Sequence, residues 1–148
     1  MTGTSFDQPA SVDPLSSSGT EDLVVLLDGS DAPCGTADRL TVHHDDTPLH
    51  LAYSLHLIDP QGRTLLTRRA LAKKTWPGVW TNSCCGHPRP GEDITAAVVR
   101  RTREELGIAV PEADVTLVLP SFRYRAVDAS GVVENEVCPV HLAVVDPA

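Results

Sequence analysis

Histidines, glutamates and cysteines make up the side chains of this sequence that could bind a metal ion. The candidates are His43, His44, His50, His87, Cys84, Cys85, Glu105, Glu134 and Glu136. A mixed set of imidazole and carboxylate ligands suits a divalent ion such as Mn²⁺, Zn²⁺ or Mg²⁺, and imidazole shifts the choice away from Mg²⁺ alone. Taken singly, each histidine is more often a surface or packed residue than a ligand, so the residue types alone leave the site open.

The segment Trp76–Asp93 concentrates reactive side chains and prolines, as is typical of a loop that holds chemistry in place. Cys84 and Cys85 with His87 could form half of a zinc site, but the chain has no C-x-x-C pair, which argues against structural zinc. A disulfide between the adjacent cysteines is rare. A reactive thiol is the third possibility, because nearby cations or a metal lower a thiol pKa from about 8.5. By contrast, Cys34 and Cys138 are interpreted as structural.

The segment Arg68–Lys74 carries four cations in a chain whose formal net charge is −8. Runs of charge are usually solvated surface turns. The alternative is a phosphate-binding edge, and both interpretations stay open at this point.

The clearest predicted helix runs from Asp93 to Gly107, because it has an acidic start, good helix formers and a terminal glycine. Its apolar stripe is predicted to contain Ile94, Ala97, Val98 and Leu106. Arg101 and Glu105 are four residues apart and share one face of the helix. They form either a surface ion pair or a cation beside a metal-binding carboxylate.

Short apolar segments predict several strands. They are Leu23–Asp28, Leu49–Ile58 with a return strand Thr64–Thr67 after the turn Asp59–Gly62, Val115–Leu119, Phe122–Val127, and Val132–Val145. In the last strand Glu134 and Glu136 project from the same face, where a cation would relieve their repulsion. The expected fold class is α+β, with mostly antiparallel strands and one packed helix.

Length and charge set limits on the organisation and the partners. The chain of 148 residues fits one domain, predicted over residues 21–148 after a disordered tail over residues 1–20. The net charge of −8 argues against nucleic acid or an anionic membrane as partner. The sequence shows no secretory signal and no apolar stretch near the roughly 20 residues that span a bilayer. We therefore expect reduced thiols and a cytoplasmic protein; the oligomeric state is left undetermined.

One pattern around the helix is more specific. Gly86, Glu92, Arg100, Glu104, Glu105, Gly107 and Ile108 match the spacing G-x5-E-x7-R-x3-E-E-x-G-apolar, which resembles the Nudix box used for diphosphate-linked substrates. Arg101 and Thr102 stand where the hydrolase signature has a glutamate and an aliphatic residue. This departure argues against plain Nudix hydrolysis.

Over a longer range the sequence resembles the type I isopentenyl diphosphate isomerases, a Nudix-fold family that interconverts isopentenyl and dimethylallyl diphosphate. The resemblance runs from about Leu23 to the end of the chain. Its most specific parts are Thr67–Pro88, the helix with Arg101 and Glu105, and Phe122–Val140.

The resemblance implies two metal sites and a small prenyl diphosphate as substrate. The first site falls on His43, His50, His87, Glu134 and Glu136 and would hold Mn²⁺, Mg²⁺ or Zn²⁺, while His44 lacks the family's spacing to His50. A second, substrate-associated Mg²⁺ falls on Glu105 and the main-chain oxygen of Cys85. The diphosphate contacts fall on Arg69, Lys73 and Arg101, with Arg39 at a position that is usually lysine.

The resemblance also implies the catalytic roles. Cys85 and Glu136 would act on opposite sides of the substrate as the acid and base, with Tyr124 as a supporting hydroxyl. Family members continue with helical sequence beyond the position of Ala148, so we expect this chain to keep both binding sites but to isomerise poorly. A Nudix hydrolase and a non-catalytic metal- or diphosphate-binding domain are the two alternatives.

Overall fold

The computed structural model describes residues 22–146. The tail predicted over residues 1–20 lies outside the described residues. The strands are β1 (Leu23–Leu27), β2 (Pro33–Asp38), β3 (His50–Leu51), β4 (Tyr53–Ile58), β5 (Thr67–Arg68), β6 (Trp80–Thr81), β7 (Cys84–Gly86), β8 (Thr116–Leu119), β9 (Arg123–Val127), β10 (Val133–Val137) and β11 (Val140–Val144). Helix α1 spans Ile94–Leu106, and a single 3₁₀ turn spans Glu112–Asp114.

These strands form two main sheets and a short ribbon. The first sheet has the order β2-β1-β3-β10-β9, the second has the order β7-β4-β11-β8, and the ribbon pairs β5 with β6. The pairs β3/β10 and β4/β11 are parallel, and the other neighbours are antiparallel. The predicted α+β class with mostly antiparallel strands is confirmed.

Two segments predicted as single strands each divide between the sheets. Leu49–Ile58 breaks at Ala52 into β3 and β4, and Val132–Val145 breaks at Cys138 and Pro139 into β10 and β11. Proline has no N–H to donate to a ladder. The two chains nevertheless stay hydrogen-bonded through the crossing, from Ala52 N to Val137 O at 2.9 Å and from Ser54 N to Pro139 O at 3.1 Å. This crossing places the ends of β3 and β10 at the junction of the sheets.

The predicted return strand Thr64–Thr67 is only partly correct. Thr64 forms an isolated bridge with Ile58, but Thr67 pairs with Thr81 in the ribbon, and the antiparallel partner of β4 is β7. Leu65 N still donates directly to Leu57 O at 2.9 Å, but the Ser83 hydroxyl bridges the other two backbone groups of this pair, because it accepts from Leu57 N at 2.7 Å and donates to Leu65 O at 2.6 Å. A side chain thus satisfies backbone groups that would otherwise extend the hairpin.

Helix α1 is set by its caps and its apolar face. The Asp93 side chain accepts a hydrogen bond from Ala96 N, and the helix ends at Gly107 with φ of 68°, a conformation that suits glycine. Ala97 and Val98 are buried against the second sheet, and Ile94 and Leu106 pack around them. The predicted stripe is confirmed. Within residues 22–146, no helix has both the length and the apolar character needed to cross a membrane.

The contact between α1 and the second sheet depends on Gly86 at the end of β7. A Cβ at this position would lie 2.6 Å from the hydroxyl oxygen of Tyr53. Tyr53 is completely buried and donates to Ala97 O at 3.2 Å. Because real Cβ contacts are not this short, only glycine allows β7 to pass the tyrosine, and this passage delivers the next residue, His87, to the site.

Candidate active site

Three histidines and one glutamate converge at the junction of the two sheets. The possible ligand atoms of His43, His50, His87 and Glu136 all lie within 4.8 Å of one another. Glu136 Oε1 is 3.3 Å from the Nε2 atoms of His50 and His87 and 3.8 Å from that of His43. We call these four residues the histidine–glutamate cluster.

The strand register accounts for much of this convergence. Glu136 in β10 lies opposite His50 in the parallel strand β3 and opposite Tyr124 in the antiparallel strand β9. His50 Nδ1 is 2.9 Å from Pro48 O. Since a carbonyl oxygen only accepts, Nδ1 carries a proton, which leaves Nε2 as the ring atom that could bind a metal.

The residues present fit a divalent metal ion. The Nε2 atoms of His43 and His50 are buried and have no hydrogen-bond partner in the part of the chain that the structure describes. Buried polar atoms are rarely left without a partner. Imidazole nitrogens together with a carboxylate are suitable ligands for Mn²⁺ or Zn²⁺. A bound ion would satisfy both nitrogens at once.

The cluster also shifts the pKa values of its members. Burial opposes ionisation of Glu136, but the interactions with the three imidazoles that face it outweigh burial and hold its pKa well below the usual value. Burial likewise opposes the charge of His50, yet Glu136 more than offsets this and raises the His50 pKa. For His87 burial prevails and the pKa falls, which favours the neutral imidazole that binds metals.

Tyr124 joins the cluster to Glu134. Its hydroxyl is 2.8 Å from Glu136 Oε2 and 2.7 Å from Glu134 Oε2. A hydroxyl has one proton, so it donates to one of these oxygens at a time. Burial, with the charge of Glu136, raises the Tyr124 pKa far above its usual value. Glu134 lies outside the four-residue cluster, and its role as a metal ligand stays a prediction.

The two adjacent cysteines occupy different environments. Cys84 is buried, and its thiol donates to Glu105 Oε2 at 3.8 Å. Burial, with the charge of Glu105, raises the Cys84 pKa to about 12. Cys85 is an exposed residue, yet desolvation of its thiol and the charge of Glu136 raise its pKa to about 11.

For the protein without a bound metal, the expectation of a lowered thiol pKa is therefore wrong for both Cys84 and Cys85. The carboxylates and desolvation outweigh the nearby arginines Arg69 and Arg101. Of the two cysteines interpreted as structural, Cys138 is buried, which agrees with that interpretation, whereas Cys34 is exposed, which does not.

The three arginines predicted to bind the diphosphate have separate partners. Arg69 donates from Nε to Thr75 O and from Nη2 to Thr75 Oγ1, each at 3.0 Å. Arg101 pairs with Glu105, the carboxylate predicted for the second metal. Arg39 pairs with Asp22 at 2.9 Å, and Lys73 is exposed.

Two residues of the Nudix-like pattern are structural. Arg100 donates from Nε and Nη2 to the two carboxylate oxygens of Glu92, at 2.7 and 3.0 Å. Glu92 also accepts from Arg89 N at 2.8 Å, so the pair fastens the loop after His87 to α1. Thr102, at the position of an aliphatic residue in the hydrolase signature, is buried and donates to Val98 O at 2.7 Å.

Two polar residues next to the cluster, Thr47 and Asn135, were not identified from the sequence. Thr47 is buried, and Asn135 donates to its carbonyl oxygen at 3.3 Å. The sequence did contain one indication of the role of Asn135. It is the polar residue on a strand face otherwise formed by Val133 and Val137.

Comparisons with known proteins identify a matching domain family, similar sequences and similar folds. The NUDIX domain family matches residues 48–147. The chain is 64% identical over 123 residues to the isopentenyl-diphosphate Delta-isomerase of Frankia alni, covering 83% of this chain and 62% of that protein. For the protein of the same name from Leifsonia xyli the identity is 62% over 122 residues, with 82% and 66% covered. For that from Kocuria rhizophila it is 55% over 132 residues, with 89% and 72% covered.

The chain thus spans 62% to 72% of the length of these curated relatives. Among solved structures it is similar to the protein DR0079 of Deinococcus radiodurans, with a TM-score of 0.62 and 19% identity over 85% of this chain and 74% of the other. It is also similar to the MutT protein of Methanosarcina mazei Go1, with a TM-score of 0.52 and 20% identity over 68% and 67% of the two chains. At such identities the likeness concerns the fold alone.

Proposed function

The chain belongs to the NUDIX domain family and, within it, to the isopentenyl-diphosphate Delta-isomerases, and on this premise we propose that it converts isopentenyl diphosphate to dimethylallyl diphosphate. The observation that carries the proposal is the arrangement around Glu136. One of its oxygens faces three imidazoles, and the other accepts from Tyr124. A carboxylate held in this way can bind an ion and exchange a proton at a defined position.

Moving a carbon–carbon double bond by one position requires two proton transfers. A proton is added to the terminal alkene carbon, and another is removed from the carbon next to the diphosphate-bearing carbon, so the protons balance and the diphosphate stays intact. Cys85 and Glu136 are the proposed donor and acceptor, acting from opposite sides of the substrate. The raised pKa of Cys85, about 11, keeps its thiol protonated near neutral pH. Positioned acids and bases contribute about 10²- to 10⁴-fold in rate.

Tyr124 is the proposed supporting group. Its hydroxyl donates to the Glu136 oxygen that faces away from the imidazoles, and burial together with nearby carboxylates keeps the phenol protonated. It therefore orients the carboxylate and stabilises it electrostatically as it gains or loses a proton. Exclusion of water around the cationic transition state would supply part of the remaining acceleration.

The histidine–glutamate cluster would hold a divalent ion, for which Mn²⁺, Zn²⁺ and Mg²⁺ are the candidates. Such an ion would supply a fixed positive charge that orients Glu136 and stabilises negative charge nearby. A second Mg²⁺, associated with the substrate, is proposed at Glu105 and the main-chain oxygen of Cys85. Glu134 is proposed as a further ligand of the first ion.

The substrate is proposed to place its diphosphate among Arg39, Arg69, Lys73 and Arg101. In the structure the three arginines are engaged with Asp22, Thr75 and Glu105, respectively, so the diphosphate must compete with these contacts. The four free cysteines suit a reducing compartment, and they support our proposal of a cytoplasmic enzyme.

The test is incubation of the full 148-residue protein with isopentenyl diphosphate and Mg²⁺ in D₂O, with and without added Mn²⁺. Deuterium in the substrate and product, followed by ²H and ¹H NMR, is the expected result. A Glu136→Gln variant is the matched control for non-enzymatic exchange.

Two other results would overturn the proposed function. Release of phosphate without deuterium incorporation would identify a Nudix-type diphosphate hydrolase. Neither signal, together with retained binding of the diphosphate, would identify a non-catalytic binding domain.

A further inference from the structure

The turn that carries His43 is closed by a threonine hydroxyl. Thr47 Oγ1 accepts from His44 N at 2.8 Å and donates to His44 O at 3.0 Å. Thr47 is only 3% exposed. Its hydroxyl therefore satisfies both polar groups of the residue next to His43, in a place where few water molecules could replace it.

The same turn is attached to β10, the strand that contains Glu136. Val133 N donates to His44 O at 2.8 Å, and Asn135 Nδ2 donates to Thr47 O at 3.3 Å. Side chains alternate along a strand, so Asn135 leaves β10 on the face opposite Glu134 and Glu136. One strand thus supplies a member of the cluster on one face and holds the turn with the other.

His43 depends on this attachment more than the other histidines do. His50 lies in β3 and pairs directly with Glu136, and His87 directly follows β7, which pairs with β4. His43 lies outside every strand of residues 22–146. Its Nε2 is also the most distant of the three from Glu136 Oε1, at 3.8 Å. The buried Val42, whose N donates to Asp38 O at 2.9 Å, anchors the chain before His43, and the turn anchors it after His43, so the turn helps to determine where this imidazole points.

We propose that Thr47 and Asn135 are positioning residues that hold His43 in the metal-binding arrangement of the cluster. The inference rests on the proposed function only in treating the cluster as a metal site. Groups that orient metal ligands without touching the metal typically affect its affinity by about 10- to 100-fold. Loss of the Thr47 hydroxyl or of the Asn135 amide removes hydrogen bonds that define the turn, so the affinity falls by that factor.

The test is titration of the metal-free 148-residue protein with Mn²⁺, in which the EPR signal of free Mn²⁺ reports binding without any need for turnover. Thr47→Val keeps the side-chain shape and removes the hydroxyl. Thr47→Ser keeps the hydroxyl and removes the methyl group. Asn135→Ala removes the amide. Thr102→Val is the matched control, because Thr102 is another buried threonine whose hydroxyl donates to a backbone oxygen, here that of Val98.

The expected result is a dissociation constant for Mn²⁺ raised about 10- to 100-fold in Thr47→Val and Asn135→Ala. In Thr47→Ser and Thr102→Val it stays within about threefold of the parent, well below that range. Circular dichroism checks that each variant is folded, and the half-buried Asn135 decides the matter if Thr47→Val does not fold.

Unchanged Mn²⁺ affinity in folded Thr47→Val or Asn135→Ala would overturn the positioning role while leaving the metal site intact. A parent protein that binds no Mn²⁺ would overturn both the positioning role and the metal site. Isomerisation in D₂O is measured separately, so failure of the proposed activity is distinguishable from either result.

Discussion

The histidine–glutamate cluster and the predicted diphosphate-binding cations are held in different ways. His50 is completely buried and Glu136 is 5% exposed, and strand register places them opposite each other. The side chains of Arg39 and Arg101 are 44% and 33% exposed, and each pairs with a different carboxylate. The four residues of the cluster are already close together without a bound ion, whereas the three arginines each contact a different partner.

This difference has an energetic cause. A buried carboxylate is costly unless several groups compensate it, and the cluster together with Tyr124 provides such groups. Exposed ion pairs contribute only about 0–1 kcal/mol each, so cations can exchange partners at little cost. The proposed metal-binding side of the site is therefore preorganised, and the proposed diphosphate-binding side is expected to form around its ligand.

The largest expected effect is that of Glu136→Gln. The amide cannot accept a proton, and it removes the negative charge that faces the three imidazoles. Turnover in the D₂O assay should fall by about 10²- to 10⁴-fold, and Mn²⁺ affinity measured by EPR should fall with it.

Glu134→Gln is the matched control for that variant. Glu134 shares Tyr124 with Glu136 but lies outside the cluster, so its effect on Mn²⁺ affinity should be smaller. An equal loss of affinity in both variants would make Glu134 as strong a ligand as Glu136, whereas an unchanged affinity in Glu134→Gln would remove Glu134 from the proposed ligands.

Cys85→Ser is expected to reduce turnover by a comparable factor, about 10²- to 10⁴-fold, with little effect on Mn²⁺ affinity. Cys84→Ser should instead lower stability by about 1–3 kcal/mol, because it places a hydroxyl in the buried position of a thiol. Rates from NMR and melting temperatures from circular dichroism separate the two. A greater loss of turnover in Cys84→Ser would reverse the assignment of the adjacent thiols.

Tyr124→Phe should have an intermediate effect, because it removes an orienting hydrogen bond and leaves Glu136 in place. Either Mn²⁺ affinity or turnover, or both, should fall by about 10- to 100-fold. Tyr53→Phe provides the comparison at the contact between the second sheet and α1, where the hydroxyl donates to Ala97 O. That change should reduce only stability, by about 1 kcal/mol, and a loss of Mn²⁺ binding there would show that the cluster depends on the helix contact.

Arg101→Gln should give the smallest effect. The KM for isopentenyl diphosphate should rise by about 10-fold, as expected for a charged hydrogen bond of about 1.5 kcal/mol, while Mn²⁺ affinity stays unchanged. Arg103→Gln is the control, since Arg103 is exposed on the same helix. Equal KM values for the two variants would remove Arg101 from the proposed diphosphate site.

Local features of the fold were predictable from the sequence. The helix was recognisable because its cap Asp93, its terminal Gly107 and its apolar stripe all act within a few turns. The turn at Asp59–Gly62 was recognisable for the same reason, and Gly62 indeed adopts a positive φ of 81°. Such signals depend on neighbours along the chain, which the sequence displays directly.

Features that depend on distant partners were not predictable. The breaks at Ala52 and Pro139 exist because two chains cross together from one sheet to the other. The early end of the hairpin after Thr64 depends on Ser83, which is 18 residues from Leu65 along the chain. Burial and the carboxylates around Cys85 reversed the expected direction of its pKa shift.

The sequence by itself determined the family, the fold class and the identities of the candidate site residues, because segments such as Thr67–Pro88 preserve residue types in a recognisable order. Only the tertiary structure decided which of those residues meet. His87 and Glu136 are 49 positions apart, and their contact depends on strand register and on the close passage of β7 past Tyr53. The role of Asn135 also emerged only from the folded chain, because its partner, Thr47, is 88 positions away.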